Sequence, residues 1–208
     1  MNNVRDAVYA IVAVAGIVAL FCARFADNVE EVPEKEYFEI KYPTQNYNRE
    51  LTNEVRGIVL HHTAVPTIER SLAILTLPKN IVSTHCVIDT NGVRYVLCDP
   101  TVVAYHAGKS ILNGREKCNE FTVGIEFQGN TVERPLTAHQ IKSAVQYLVP
   151  IMRRYHISCD SVVTHAMVRD NYIKAHPDGR AKEKVDITPV EYQRVMEALR
   201  AALEEEKQ

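Results

Sequence analysis

Apolar and polar positions change their spacing along the chain, and from Val55 onward two patterns alternate. Short apolar or alternating runs are typical of β-strands, and apolar positions three and four residues apart are typical of helices. Asn91-Gly92, between two of the β-type runs, is a strong hairpin signal. The pattern predicts strands at residues 56–61, 83–89, 93–98, 122–127 and 161–165.

Three helices are predicted, two between these strands and one after the last of them. The first covers residues 66–77, with Pro66 in its first turn and Pro78 stopping it. A capping box at residues 137–140 opens the second, which Pro150 should kink or end. The third follows Thr188, and its apolar face consists of Tyr192, Val195, Met196, Leu199 and Leu203. These elements predict an α/β domain with a single mixed β-sheet flanked by helices.

The N-terminus has a different pattern. Residues 7–23 contain no charge and lie between Asp6 and Arg24, which is about the minimum length for a membrane span. We expect residues 1–26 to form a hydrophobic helix that acts as an uncleaved anchor or a signal segment. A buried core helix is the third alternative. Either of the first two implies export of the rest of the chain, facing the periplasm or cell wall or secreted after cleavage.

Length, charge and cysteine content limit the number of domains, the class of partner and the kind of metal site that the chain can have. The 208 residues suffice for one ordinary core, which we assign to residues 55–208, preceded by an acidic tether and extended arm at 27–54. A net charge of -2 without a dense basic patch argues against nucleic acid as a partner. The five cysteines form no CxxC pair, so no cysteine zinc module is encoded. Disulfides and buried free thiols both stay open for Cys86, Cys98, Cys118 and Cys159.

Two histidines follow apolar runs in matching positions. His61 and His165 each end a predicted strand, and a catalytic zinc ion takes three protein ligands and leaves one position for water. Strand alternation puts Glu126 on the face opposite Val123 and Ile125, where a carboxylate can take a proton from such a water. Gly124, on the same face as Glu126, is expected to leave open space beside it.

Three stretches resemble the zinc-dependent N-acetylmuramoyl-L-alanine amidases, whose fold the peptidoglycan recognition proteins share. They are Ile58-Val-Leu-His-His-Thr-Ala64, the pair Tyr105-His-Ala-Gly108 and Gly114-Arg-Glu-Lys-Cys-Asn-Glu-Phe-Thr-Val-Gly-Ile-Glu126, and Val162-Val-Thr-His165. Each tetrapeptide alone is a weak signal, but their order and spacing match. The resemblance covers roughly residues 55 to 204.

The resemblance implies roles for individual residues. His61 and His165 would be zinc ligands, and Glu126 would be the general base that activates the zinc water. Tyr105 and His106 would border the groove that holds the sugar-peptide, and packing at a strand end is the alternative for that pair.

Two further histidines need a separate interpretation. His62 follows the first ligand directly, but strand alternation should turn it to the other face of the sheet. His85 lies on a predicted strand and could face the same cleft as the ligands.

The third ligand is where the chain departs from the family pattern. The family usually has Lys-x-Asp or Lys-x-Cys about ten residues after the second histidine, but here residues 169–181 are inserted. We assign Asp186 as the ligand and Lys184 as the cation that supports the transition-state oxyanion. Asp178 and then His176 are the alternatives, and Lys184 and Asp186 as ordinary polar residues before a helix is another.

The resemblance therefore predicts a Zn²⁺ hydrolase that cuts the amide between N-acetylmuramic acid and L-alanine in peptidoglycan or muropeptides. We expect a monomeric catalytic domain, held at the membrane through residues 7–23. A binding or sensor domain that keeps the fold without turnover is the first alternative. An exported hydrolase acting on another amide, such as an antibacterial toxin, is the second.

Overall fold

The structure is a computed structural model that describes residues 37–181 and 186–205. Ten strands are present in this part of the chain: β1 Glu39–Lys41, β2 Tyr47–Thr52, β3 Gly57–His62, β4 Cys86–Ile88, β5 Arg94–Val96, β6 Val102–Ala104, β7 Ile111–Leu112, β8 Arg115–Glu116, β9 Thr122–Phe127 and β10 Val162–Thr164. The helices are α1 Ile68–Thr76, α2 Ala138–Arg154, α3 His165–Ala175 and α4 Pro189–Glu205. Short 3-10 turns occupy Pro78–Asn80, Cys118–Glu120 and Cys159–Ser161.

Six strands form one mixed sheet in the order β1-β5-β4-β9-β3-β10. The pairs β3–β9, β3–β10 and β4–β9 are parallel, whereas β4 and β5 form the antiparallel hairpin predicted at Asn91-Gly92. Two small antiparallel pairs, β2–β6 and β7–β8, lie outside this sheet. The predicted α/β architecture, a mixed sheet with helices packed on it, is confirmed.

The main apolar core lies between one face of the sheet and helices α2 and α4. From the strands it contains Ile58, Leu60, Val123, Ile125 and Phe127, each with no exposed surface. The helices contribute Ala144, Leu148, Met152, Val195, Met196 and Leu199. Fully burying one such large apolar side chain stabilises the fold by roughly 1.5–3 kcal/mol, so this face fixes the sheet against the helices.

The opposite face of the sheet has a smaller apolar cluster formed by Val59, Ala107, Leu112, Cys118, Phe121, Val163 and Val168. Helix α3 supplies Val168, and the loops around β7 and β8 supply several others. Val59 of β3 and Val163 of β10 belong to this cluster and precede His61 and His165 by two residues each.

Several boundaries differ from the sequence prediction. Helix α1 begins after Thr67, whose hydroxyl caps it by accepting from the Arg70 N–H at 3.3 Å, so Pro66 precedes the helix. Helix α2 does not end at Pro150 but runs on to Arg154. The next two residues, Ile151 and Met152, are buried in the main core, and their packing favours continuing the helix.

The N-terminal predictions concern residues that are largely outside the described part. Strands β1 and β2 fall within the predicted arm at 27–54 and pair with β5 and β6. Within residues 37–181 and 186–205, no helix is long and apolar enough to span a membrane. The predicted hydrophobic helix at residues 7–23 lies outside the described residues.

The four cysteines of the described part carry free thiols, so the disulfide alternative is not observed among them. Cys86, Cys98 and Cys118 are buried, and Cys159 is partly exposed. Burial raises the pKa of the Cys98 thiol to about 12. A thiol of that kind stays protonated at neutral pH and is unreactive.

Candidate active site

The parallel register of β3 and β9 brings His61 and Glu126 side by side. The two residues are direct partners across the strands, so their side chains point to the same face of the sheet. His61 is fully buried, and Glu126 is 5% exposed. Their neighbours Leu60 and Ile125 point the other way into the main core, as the alternation predicted.

His165 reaches the same place from the neighbouring strand. Thr164 is the last residue of β10 and pairs with Leu60 of β3. The residues that follow these two in the chain, His165 and His61, are therefore neighbours. Their ring centroids lie 5.1 Å apart. His165 is the first residue of α3 rather than the end of a strand, because the Thr164 hydroxyl caps that helix by accepting from the Met167 N–H at 3.2 Å.

Asp186 completes a cluster with the two histidines. Its Oδ2 lies 3.6 Å from Nδ1 of His61 and 3.4 Å from Nδ1 of His165. Its Oδ1 accepts hydrogen bonds from the backbone N–H of His62 at 3.2 Å and of Ile187 at 2.9 Å. The two backbone donors hold one oxygen and thereby direct the other between the imidazoles.

The spacing of these three side chains fits a zinc ion. One ligand atom from each lies within 4.8 Å of the other two. Zinc ligands at 2.0–2.2 Å in a tetrahedral arrangement lie roughly 3.3–3.6 Å apart, which the two measured nitrogen–oxygen distances match. Two imidazoles and one carboxylate are a donor set that catalytic zinc uses. The residues could therefore hold the metal that the sequence predicts.

The alternative ligands lie elsewhere. His62 points to the other face, where its Nδ1 is 2.9 Å from the Thr131 hydroxyl and accepts from the Thr131 N–H at 3.1 Å. His176 is bonded to Glu116 at 2.7 Å, and Asp178 is exposed. Of the three candidates for the third ligand, the structure thus brings Asp186 to the two histidines.

His106 is buried, with 6% of its surface exposed, and it is also one of the residues that line a cavity beside His165. Its Nδ1 lies 3.2 Å from Nε2 of His61, and the two rings meet edge to face. The pKa of His106 lies well below its ordinary value, first because burial penalises the charged ring and then because of the neighbouring His61.

The expectation of open space beside Glu126 at Gly124 is wrong. A Cβ atom at position 124 would lie 2.5 Å from Cγ of His106. Glycine is present there because the imidazole packs directly against the backbone of β9. The space that the missing side chain leaves is filled by His106 and not by solvent or substrate.

His85 supports the same part of β9 and is also fully buried. Its Nδ1 accepts from the Gly124 N–H at 2.9 Å, and its Nε2 donates to the Val102 carbonyl at 2.9 Å. Burial lowers the pKa of His85 to about 4. It is therefore a neutral structural histidine whose two bonds fix its tautomer.

A cavity of about 820 Å³ lies beside His165 and His106. Its lining includes Tyr105 and His106, the two residues for which the resemblance implies a contact with the substrate. The described lining residues carry three cations and no carboxylate: Lys109, Arg169 and Arg180. Such a lining favours an anionic or strongly polar ligand.

These three cations and Asn119 were not predicted from the sequence. The Asn119 side chain accepts from the backbone N–H groups of His106 and Ala107 at 3.0 and 2.7 Å, which fixes the loop that presents His106. The one feature of the sequence that pointed to Asn119 is its position within the Gly114–Glu126 motif that resembles the family. Lys184, predicted to support the oxyanion, lies outside the described residues.

Comparisons with known proteins agree with this geometry. A sequence model described as N-acetylmuramoyl-L-alanine amidase matches residues 51–186. The 1,6-anhydro-N-acetylmuramyl-L-alanine amidase AmpD of Haemophilus influenzae is 42% identical over 87 residues, which are 40% of this chain and 46% of the relative. The N-acetylmuramoyl-L-alanine amidase AmiD of Escherichia coli is 29% identical over 127 residues, 54% of this chain and 45% of its own. The chain thus spans about half the length of the curated relatives it matches.

Solved structures share the fold. A selenomethionine derivative of AmpD superposes with a TM-score of 0.56 at 19% identity, covering 80% of this chain and 97% of that one. A mutant endolysin from Bacillus subtilis gives a TM-score of 0.56 at 17% identity, covering 79% and 99%. Because the family sequence model covers more than half of the chain, including His61, Glu126, His165 and Asp186, the chain belongs to the N-acetylmuramoyl-L-alanine amidase family.

Proposed function

We propose that this protein is a zinc-dependent N-acetylmuramoyl-L-alanine amidase acting on peptidoglycan or muropeptides. The observation that carries the proposal is the convergence of two Nδ1 atoms, from His61 and His165, on Oδ2 of Asp186 at 3.6 and 3.4 Å. Family membership supports the choice of substrate class. The buried Glu126 beside His61 supports hydrolysis as the reaction.

His61, His165 and Asp186 would hold the metal. When bound, zinc lowers the pKa of a coordinated water toward neutrality and polarises the carbonyl of the amide that is cut. Glu126 would take a proton from the attacking water and deliver it to the leaving amino group of L-alanine. Its position on a strand buried on both faces keeps its orientation fixed during the reaction.

Lys184 would stabilise the negative charge that develops on the carbonyl oxygen. It precedes by two residues Asp186, whose side-chain carboxylate accepts from the backbone N–H groups of His62 and Ile187. This role rests on the resemblance, since Lys184 is not among the described residues.

The groove beside His165 is suited to a sugar-peptide. Its volume of about 820 Å³ accommodates several residues of a polar chain, and Lys109, Arg169 and Arg180 can pair with peptide carboxylates. Tyr105, on the same lining, can pack against a sugar ring. We place the stem peptide near the three cations.

Asp186 also bears on the binding-only alternative. A receptor that only recognises muropeptides does not need the complete ligand set, so an Asp186 distant from the histidines would have favoured it. The short distances from Asp186 to the two imidazoles support turnover instead.

We further propose an exported, monomeric catalytic domain held at the membrane by residues 7–23. Fractionation of cells expressing the full chain would test the membrane location.

Digestion of purified peptidoglycan with and without a chelator tests the function. We expect mass analysis to find free stem peptides beginning with L-alanine, their release to stop with chelator and to return with added Zn²⁺. Release that ignores the chelator, or no release by zinc-loaded protein, would contradict the proposal.

A further inference from the structure

We infer that His106 is a positioning residue that fixes the tautomer of His61, so that His61 presents the lone pair of Nδ1 to the metal. The inference rests on the proposed metal site and deepens it. It assigns to His106 a role different from the groove contact that its sequence position suggests.

The hydrogen-bond chain begins at Thr122. The Thr122 hydroxyl donates its single proton to the Cys118 carbonyl at 2.6 Å, so its oxygen can only accept from another neighbour. Nε2 of His106 lies 3.4 Å from this oxygen and 3.4 Å from the Thr122 carbonyl. Both neighbours are acceptors, and Nε2 of His106 therefore carries the proton.

The proton on Nε2 of His106 determines the direction of the next hydrogen bond, between His106 and His61. A neutral imidazole has one N–H, so Nδ1 of His106 is an acceptor, and it faces Nε2 of His61 at 3.2 Å. Nε2 of His61 then carries its own proton and donates to His106. The lone pair of His61 is left on Nδ1, which lies 3.6 Å from Oδ2 of Asp186.

The ring of His106 is held where this bond requires it. Asn119 accepts from the backbone N–H of His106, and Gly124 has no Cβ to push the ring away from β9. His85 contacts the ring edge on another side, with centroids 5.7 Å apart. A metal-binding histidine whose other nitrogen has such a partner binds more tightly, and losing the partner typically weakens metal affinity 10–100-fold.

Two substitutions separate positioning from packing. In His106→Asn the side-chain oxygen can take the place of Nδ1 and accept from His61, whereas His106→Leu fills the space without an acceptor. We expect His106→Leu to raise the zinc dissociation constant by about 10–100-fold. The dissociation constant of His106→Asn should stay within a few-fold of the wild-type value. Competition with a chromogenic chelator on the full-length protein, without substrate, measures both.

Controls make the comparison decisive. His139 lies on helix α2 and is hydrogen-bonded to Tyr37. Its replacement in His139→Leu should leave zinc affinity unchanged. Thermal unfolding of the metal-free variants tests whether they are equally folded. Equal zinc affinity in His106→Leu and wild type, or equal losses in the leucine and asparagine variants, would overturn the inference.

A direct reading of the tautomer covers the case in which a variant fails to fold. Long-range ¹⁵N–¹H correlation spectra of metal-free wild type should show His61 protonated at Nε2 and not at Nδ1. Protonation at Nδ1 would overturn the inference. This result does not depend on amidase activity, so failure of the proposed function is distinguishable from failure of the His106 role.

Discussion

The two faces of strands β3 and β9 are buried to the same degree but serve opposite purposes. Leu60 and Ile125 on one face have no exposed surface, and neither has His61 on the other. Burying apolar surface stabilises by about 25 cal/mol per Å², whereas a buried polar group without a partner costs roughly 1–3 kcal/mol. The apolar face therefore stabilises the fold, and the histidine face is tolerated because its polar groups have partners.

Those partners are drawn from distant parts of the chain. His61 lies against His106, and Asp186 receives backbone N–H groups from His62 and Ile187. A site built this way is rigid before any substrate arrives, which is what positioning of a metal and a base requires. Burial alone does not distinguish the core from the active site in this protein, whereas the chemistry of the buried atoms does.

The largest effect should come from removing the base on the polar face. We expect Glu126→Ala to lower the turnover rate on muropeptide by about 10²–10⁴-fold, because no carboxylate then takes the proton from water. Bound zinc, measured by atomic absorption, should be unchanged. Glu197→Ala, at an exposed position of α4, is the matched control and should keep full activity. A near-normal rate in Glu126→Ala would exclude it as the base.

The apolar face can be broken separately. Leu199→Ala should lower the free energy of unfolding by about 2–5 kcal/mol, because the side chain is fully buried in the main core. Urea unfolding measures this loss. Zinc affinity of the folded variant should match wild type. If affinity falls together with stability, the two faces are not independent.

The third ligand offers a sharper test of the polar face. In Asp186→Asn the side-chain oxygen can still accept the two backbone N–H bonds, but the ligand charge is gone. Loss of a residue that only hydrogen-bonds to a metal ligand lowers metal affinity by up to about 100-fold. Because Asp186 would be a ligand itself, we expect zinc affinity in Asp186→Asn to fall by at least about that factor. Asp178→Asn, at the exposed alternative, should bind zinc normally. The reverse pattern would make Asp178 the ligand.

A pH dependence of stability is expected from His85, the histidine that supports the polar face. Burial lowers the pKa of His85 in the folded state to about 4 from 6.5, so the unfolded chain binds more protons between these values. The contribution of neutral His85 to stability is complete above about pH 6.5 and is lost as the pH falls toward 4, on the order of 3 kcal/mol in total.

Urea unfolding of metal-free protein at stepped pH checks this sign. Wild type should lose stability on acidification through that window, and His85→Asn should lose less. His156→Asn removes an exposed histidine in a left-handed backbone conformation that asparagine tolerates, and it should keep the wild-type slope. An unchanged slope in His85→Asn would show that its burial does not set the dependence.

Much of the fold could be predicted because it depends on local patterns. Alternation in β9 correctly assigned Ile125 to the core and Glu126 to the opposite face, and the capping box at Thr137 correctly began α2. Of the two effects predicted for Pro150, a kink or an end, the helix does not end there, because the burial of Ile151 and Met152 offsets the hydrogen bond that proline removes. Local rules failed where tertiary packing opposed them.

The site was less predictable where side chains meet across long stretches of chain. Gly124 suggested open space, but the ring of His106 fills it, and nothing in either local sequence indicates that approach. Lys109 lines one cavity together with Arg169 and Arg180, although it comes from a different segment of the chain. Such pairings arise from the parallel register and the loops, which are non-local.

The local sequence pattern was enough to predict five of the six strands of the main sheet, the faces on which Ile125 and Glu126 lie, and the positions of His61, Glu126 and His165 at or next to the ends of their strands. These follow from the period of two along a strand and from motif order. Only the tertiary structure decided that Asp186, and not Asp178 or His176, meets the two imidazoles. The reason is physical: Asp186 is held by the backbone N–H of His62, 124 residues away, a bond that exists only once the sheet and the C-terminal segment have packed together.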